Sequence, residues 1–143
     1  FLAMRADLIK QRPDVAKAWL NAELDAQLFL ADPKNAMEVA AMAAQQATGF
    51  TEKMLWHSLY GQYPAEIGGI PVRMQMPFTL TPDVVAQINQ SAAFLFSIKS
   101  INVEKLRADA LMNDMAAQVL KERNLSSPIG EVKAMPDSEY GKK

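Results

Sequence analysis

Apolar residues recur at three- and four-residue spacing through most of the chain, and prolines mark where several of those runs begin. The longest run occupies residues 12–33, RPDVAKAWLNAELDAQLFLADP. Val15, Trp19, Ala22, Ala26, Phe29 and Leu30 fall on one side of a helix, and Leu20, Leu24 and Leu28 form a stripe beside them. An arc this wide predicts a helix covered by more than one neighbour. Proline at the first helical position loses no hydrogen bond, because that N–H has no partner inside the helix. Pro13 and Pro33 therefore read as helix starts, and Asp14 adds a carboxylate at the positive end of the helix dipole.

The remaining pattern divides the chain further. Residues 5–11 predict a short helix stopped at Arg12, since a residue before proline avoids the α region. Residues 33–47 predict a second helix, with Ala36, Val39, Ala40 and Ala43 on a face narrow enough for close packing. Thr48-Gly49 ends it, Thr51 is placed to cap a helix over 52–60, and Gly61 stops that one. Residues 62–80 carry Pro64, Gly68, Gly69, Pro71 and Pro77, a long loop in which 72–76 is at most a short extended piece. Thr81-Pro82-Asp83 is a strong helix start, and Val84, Val85, Ile88, Ala92, Leu95 and Ile98 are the expected buried face of a helix reaching about residue 100. Phe94 and Phe96 widen that face. Residues 102–108 read as a connector, and Asp109 as the start of a last helix to Glu122. The expected fold class is mainly α, with 1–125 a helical portion and 126–143 an irregular tail.

Composition narrows the function classes. The 143 residues suffice for one domain with a core, and 50% hydrophobic with 22% charged residues is ordinary for a globular chain. A net charge of −1 supplies no electrostatic reason to expect nucleic acid. The absence of cysteine excludes disulfides, thiolate metal ligands and a cysteine nucleophile. Phe1-Leu2-Ala3-Met4 resembles neither a start nor a signal peptide, and the expectation is a chain lacking its natural N-terminus.

Candidate chemistry is sparse. His57 is the sole histidine, without a recognisable nucleophile or second metal ligand, and reads as a partly exposed helix residue. The nine methionines are scattered and read as core filling. Lys121-Glu122-Arg123 and Lys142-Lys143 read as solvated surface, and Gly68-Gly69 lacks the spacing and lysine of a phosphate loop. These observations predict no enzyme, no metal and no cofactor. The ligand-binding candidates are Thr51 and Thr81, each at a helix N-terminus where free N–H groups and the dipole favour an anion, and Arg73 in the loop between them.

The order of these segments resembles the C-terminal part of the substrate-binding proteins of ABC importers, in the nitrate, sulfonate and taurine group. The resemblance is carried by FLAMRADLIKQRPDVAKAWLNAELDAQLFLADPKNAMEVA, through Pro13-Asp14-Val15 before a long helix and Asp32-Pro33-Lys34-Asn35 opening another. Thr79-Leu80-Thr81-Pro82 and the exit Ile98-Lys99-Ser100-Ile101 continue it, so that it covers most of residues 1–125. It implies a parent of two α/β lobes, a periplasmic location, a small anionic solute and a membrane permease as partner. It also implies that much of the ligand wall lies in another portion. Uncovered apolar helix faces would then favour self-association or a partner subunit, and a helical assembly subunit without a ligand is the alternative.

Overall fold

Each proline that the sequence places at a helix start does begin a helical segment in the computed structural model, which describes residues 3–142. Helix α1 spans Ala6–Gln11, α2 Pro13–Ala31, α3 Ala36–Gln46, α4 Glu52–Tyr60, α5 Pro82–Ser97 and α6 Asp114–Glu122. Two short strands, β1 (Val72–Gln75) and β2 (Glu131–Lys133), complete the regular structure, and the protein is mainly helical. Ala3 and Met4 are irregular; Phe1 and Leu2 lie outside the described residues. The Pro33 segment opens as one 3₁₀ turn, Pro33–Asn35, before α3, with Asp32 accepting from the Lys34 N–H at 3.0 Å. The last helix starts at Asp114 and not at Asp109, because Ala108–Ala110 is an isolated 3₁₀ turn and 111–113 are not helical.

The chain forms two compact units: one comprises the chain up to Asn21 with Pro77–Ser127, the other Ala22–Met76 with the chain from Pro128 onward. In the first, Ala16, Ala92, Ala116, Val119 and Leu120 are buried. Lys17 of α2 reaches Glu122 of α6 at 2.6 Å. The Asn113 side chain binds Leu80 twice, accepting from its N–H at 2.7 Å and donating to its carbonyl at 2.8 Å. Thr81 then caps α5.

The second unit holds the larger core: Ala36, Val39 and Ala40 of α3, Trp56 and Tyr60 of α4, Met76 and Val132. Small residues on α3 let α4 approach closely, so Trp56 is only 1% exposed. Strands β1 and β2 pair antiparallel, with Val72 opposite Lys133, Met74 opposite Val132 and Gln75 opposite Glu131. The register shifts between Val72 and Met74, so Arg73 occupies a bulge. Pro71 and Pro77 do not prevent pairing, since both members of a two-stranded ribbon are edge strands.

Three expectations are corrected. The expected irregular tail contains β2, whose alternating Glu131-Val132-Lys133 buries Val132 to 2% exposure, which is why it seats on the core. Of the expected arc of α2, Leu24 is buried as expected, but Trp19 stays 59% exposed and Ala16, outside that arc, is buried instead. On α5 only Ala92 is buried; Leu95 and Ile98, expected inside, are 38% and 54% exposed. The methionines divide likewise: Met76 fills the core, whereas Met42, Met54, Met74 and Met112 are exposed. No helix among the described residues is long and apolar enough to cross a membrane.

Candidate functional site

Residues of α4, the following loop, the β1 bulge and the C-terminal segment meet on one side of the second unit. α4 begins where the Thr51 hydroxyl accepts the Met54 N–H at 3.2 Å, and ends at Gly61, whose N–H donates to the His57 carbonyl. Gly61 is required there, because a Cβ would collide with Nδ1 and the carbonyl oxygen of His57. The imidazole therefore lies back over the helix end, with Nδ1 3.0 Å from Oδ1 of Asp137, a contact suited to an Nδ1–H donor. Asp137 is held by the preceding chain: the Met135 N–H donates to the Tyr60 carbonyl at 2.7 Å, and the Gln62 N–H to the Met135 carbonyl at 2.9 Å.

Tyr63 stands edge-on to His57, with ring centroids 4.7 Å apart and planes at 65°. Its backbone is fixed by a tight loop in which the Gly69 N–H donates to the Pro64 carbonyl at 3.0 Å, and a Cβ on Gly69 would strike the Tyr63 carbonyl. Arg73 comes from the bulge onto the same aromatic ring, its Cζ 4.5 Å from the centroid. Its Nη2 donates to the Ser58 carbonyl at 2.7 Å, and its Nε is buried with no hydrogen-bond partner. A guanidinium stacked on tyrosine gains cation–π attraction and loses freedom before any ligand arrives.

Of the three candidates named from sequence, Thr51 and Arg73 belong to this second unit and Thr81 to the first. Both threonine hydroxyls cap their own helices, Thr81 accepting from Val84 at 3.3 Å. Arg73 alone of the three is drawn into a cluster with other polar side chains. His57, read from sequence as a lone helix residue, is in that cluster too. Asp137 lies eighty residues downstream of it, in the stretch expected to be a tail, and periodicity carries no signal for such a contact.

Two clefts accompany these features. One in the second unit, of about 290 Å³, is lined by Ala31, Pro33, Tyr60, Val132 and Met135 with Glu131 and Lys133. Tyr60 donates its hydroxyl proton to the Leu30 carbonyl at 2.9 Å, and burial pushes its pKa up to about 12. The other, of about 510 Å³, follows α5 between Phe96 and Asn102 in the first unit. Among the described residues no group of three or more histidine or acidic side chains is placed to hold a metal ion. Comparison of the chain with protein-family models, curated proteins and solved structures finds no match.

Proposed function

We propose that this chain is the largely helical C-terminal portion of a solute-binding component for an ABC-type importer. A small anion such as a sulfonate, taurine or nitrate is captured in a cleft between two lobes and delivered to the membrane permease. The parent in this reading is an α/β protein of two lobes in the periplasm, and closure is a hinge motion without catalysis.

The observation that supports the reading is an ordered set of proline-started helices whose apolar side chains remain uncovered. Pro13, Pro33 and Pro82, among the residues on which the resemblance rests, begin helical segments. Trp19, Phe94, Phe96 and Ile98 are exposed all the same, as expected of faces that a further lobe would cover. Isothermal titration of the protein at its full natural length with taurine, alkanesulfonates, nitrate and bicarbonate tests it. Saturable heat with one of these anions is expected, and silence with all of them overturns the ligand class.

The same exposed side chains favour a second reading, a helical assembly subunit without a small ligand. In that case the chain associates through α2 and α5, and saturable anion binding is absent.

A further inference from the structure

We propose that the open edge of β2 binds a short extended peptide with small apolar side chains, in the cleft this edge shares with Ala31, Pro33 and Tyr60. This site is separate from the anion reading above and does not depend on it. Three features of the second unit define it: the direction of the β2 backbone groups, the wall that faces them and the size of the space between.

Successive residues of an antiparallel strand aim their N–H and C=O at opposite edges. Toward β1, the Gly130 carbonyl accepts from the Met76 N–H at 3.1 Å, and the Ala134 N–H donates to the Pro71 carbonyl at 2.8 Å. Residues 130, 132 and 134 thus face β1, and Glu131, Lys133 and Met135 face away from it. Met135 is paired on that outer side, donating to the Tyr60 carbonyl at 2.7 Å and accepting from the Gln62 N–H at 2.9 Å. This is a single parallel bridge, Gly61 to Met135. One residue before Gly61 the chain is already helix α4, so it does not continue along β2. The third-strand position opposite Glu131 and Lys133 is therefore open. Two N–H and two C=O groups point into it without a backbone partner among the described residues.

The facing wall is apolar, made by Ala31, Pro33, Tyr60 and Met135. Pro33 has no N–H to offer, and the Tyr60 hydroxyl is engaged with the Leu30 carbonyl. The side chains of Glu131 and Lys133 meet each other at 3.6 Å, which leaves their main-chain groups to a ligand. The cleft of about 290 Å³ is roughly twice the engineered cavity of about 150 Å³ that holds benzene. Ala31 closes one end, its side chain 3.5 Å from where a Cβ on Gly130 would stand, and the Gly61 bridge closes the other. Such an opening admits roughly three extended residues at about 3.3 Å each. Main-chain hydrogen bonds with side chains seated in apolar space are what an added strand supplies. So short an opening favours a peptide over the β2 of a second copy, which would bring its own closed ends with it.

The test uses the protein at its full natural length and the uncharged peptide N-acetyl-Ala-Val-Ala amide. Saturable binding is expected, with the Glu131 and Lys133 amides exchanging hydrogen about tenfold more slowly once peptide is bound. The Val132 amide, which faces β1, is expected to be unchanged. Lys133→Pro removes one edge N–H and sets a ring in the cleft, while the β1 ladder uses residues 132 and 134. It is expected to weaken binding about tenfold or more, and Lys133→Ala, which keeps the backbone, is expected to bind as wild type. The same peptide methylated at every amide nitrogen leaves the protein untouched and is expected not to bind. Equal binding of the methylated peptide, or unprotected Glu131 and Lys133 amides at saturation, overturns the main-chain site. Protection of those amides by raising the protein concentration without peptide assigns the edge to a second copy and overturns the peptide as occupant. No binding by wild type overturns the site and leaves the anion reading standing.

Discussion

Tyr60 couples the core of the second unit to its own ionisation. The ring packs with Trp56, Val39 and Val132, and its hydroxyl is bonded to the Leu30 carbonyl at the end of α2. Burial disfavours the charged phenolate and raises the pKa from 10.0 to about 12. A folded-state pKa above the unfolded one gives stability that is complete below about pH 10 and is lost as pH rises through about 12. Denaturant titrations over that range should show stability falling in wild type. Tyr60→Phe should start roughly 1 kcal/mol lower, from the lost hydrogen bond, and should lack this part of the alkaline decline. An equally steep decline in both proteins would contradict the assignment to Tyr60. Tyr60 was legible in sequence only as an aromatic on α4, because the acceptor thirty residues earlier depends on how α2 and α4 meet.

At the scale of elements, helix starts were legible because they are written locally. Thr51, Asp32 and Thr81 each accept an N–H from the turn that follows, and proline follows two of them. The start of α6 was not, since the Asn113 amide is spent on Leu80 and makes no cap of its own. Asn113→Ala should cost about 1–3 kcal/mol, because it strands the Leu80 N–H and carbonyl together. Hydrogen exchange at the first turn of α5 should quicken with it, and unchanged exchange there would contradict the clamp. The β1–β2 pairing was equally hidden: three residues are too few to show an alternation. Their partner strand lies more than fifty residues away, between prolines. The Arg73 bulge follows from that register, so the place of Arg73 beside Tyr63 and His57 could not be read from sequence although the residue itself was singled out.

For the whole chain, the large exposed side chains matter more than the buried ones. Phe94 is 62% exposed and Ile67 70%, with Trp19, Phe50, Ile70 and Phe96 also open. Apolar exposure of this kind marks faces that meet another surface. Sedimentation velocity on the isolated chain should therefore show concentration-dependent self-association, reduced when Phe94 and Phe96 are both changed to Ser. A monomer at every concentration would contradict an association role for α5. The burial of Trp19 on α2, and of Leu95 and Ile98 at the end of α5, was misjudged for the same reason: periodicity says which residues share a face, but not which part of it acquires a neighbour.

The central claim is that these helices belong to a protein that captures a small anion. Calorimetric titration at full natural length, with sulfonates, taurine, nitrate and bicarbonate in turn, tests it most directly. The account predicts saturable binding of one of them at a single site. Heats of dilution alone across the whole set would contradict it.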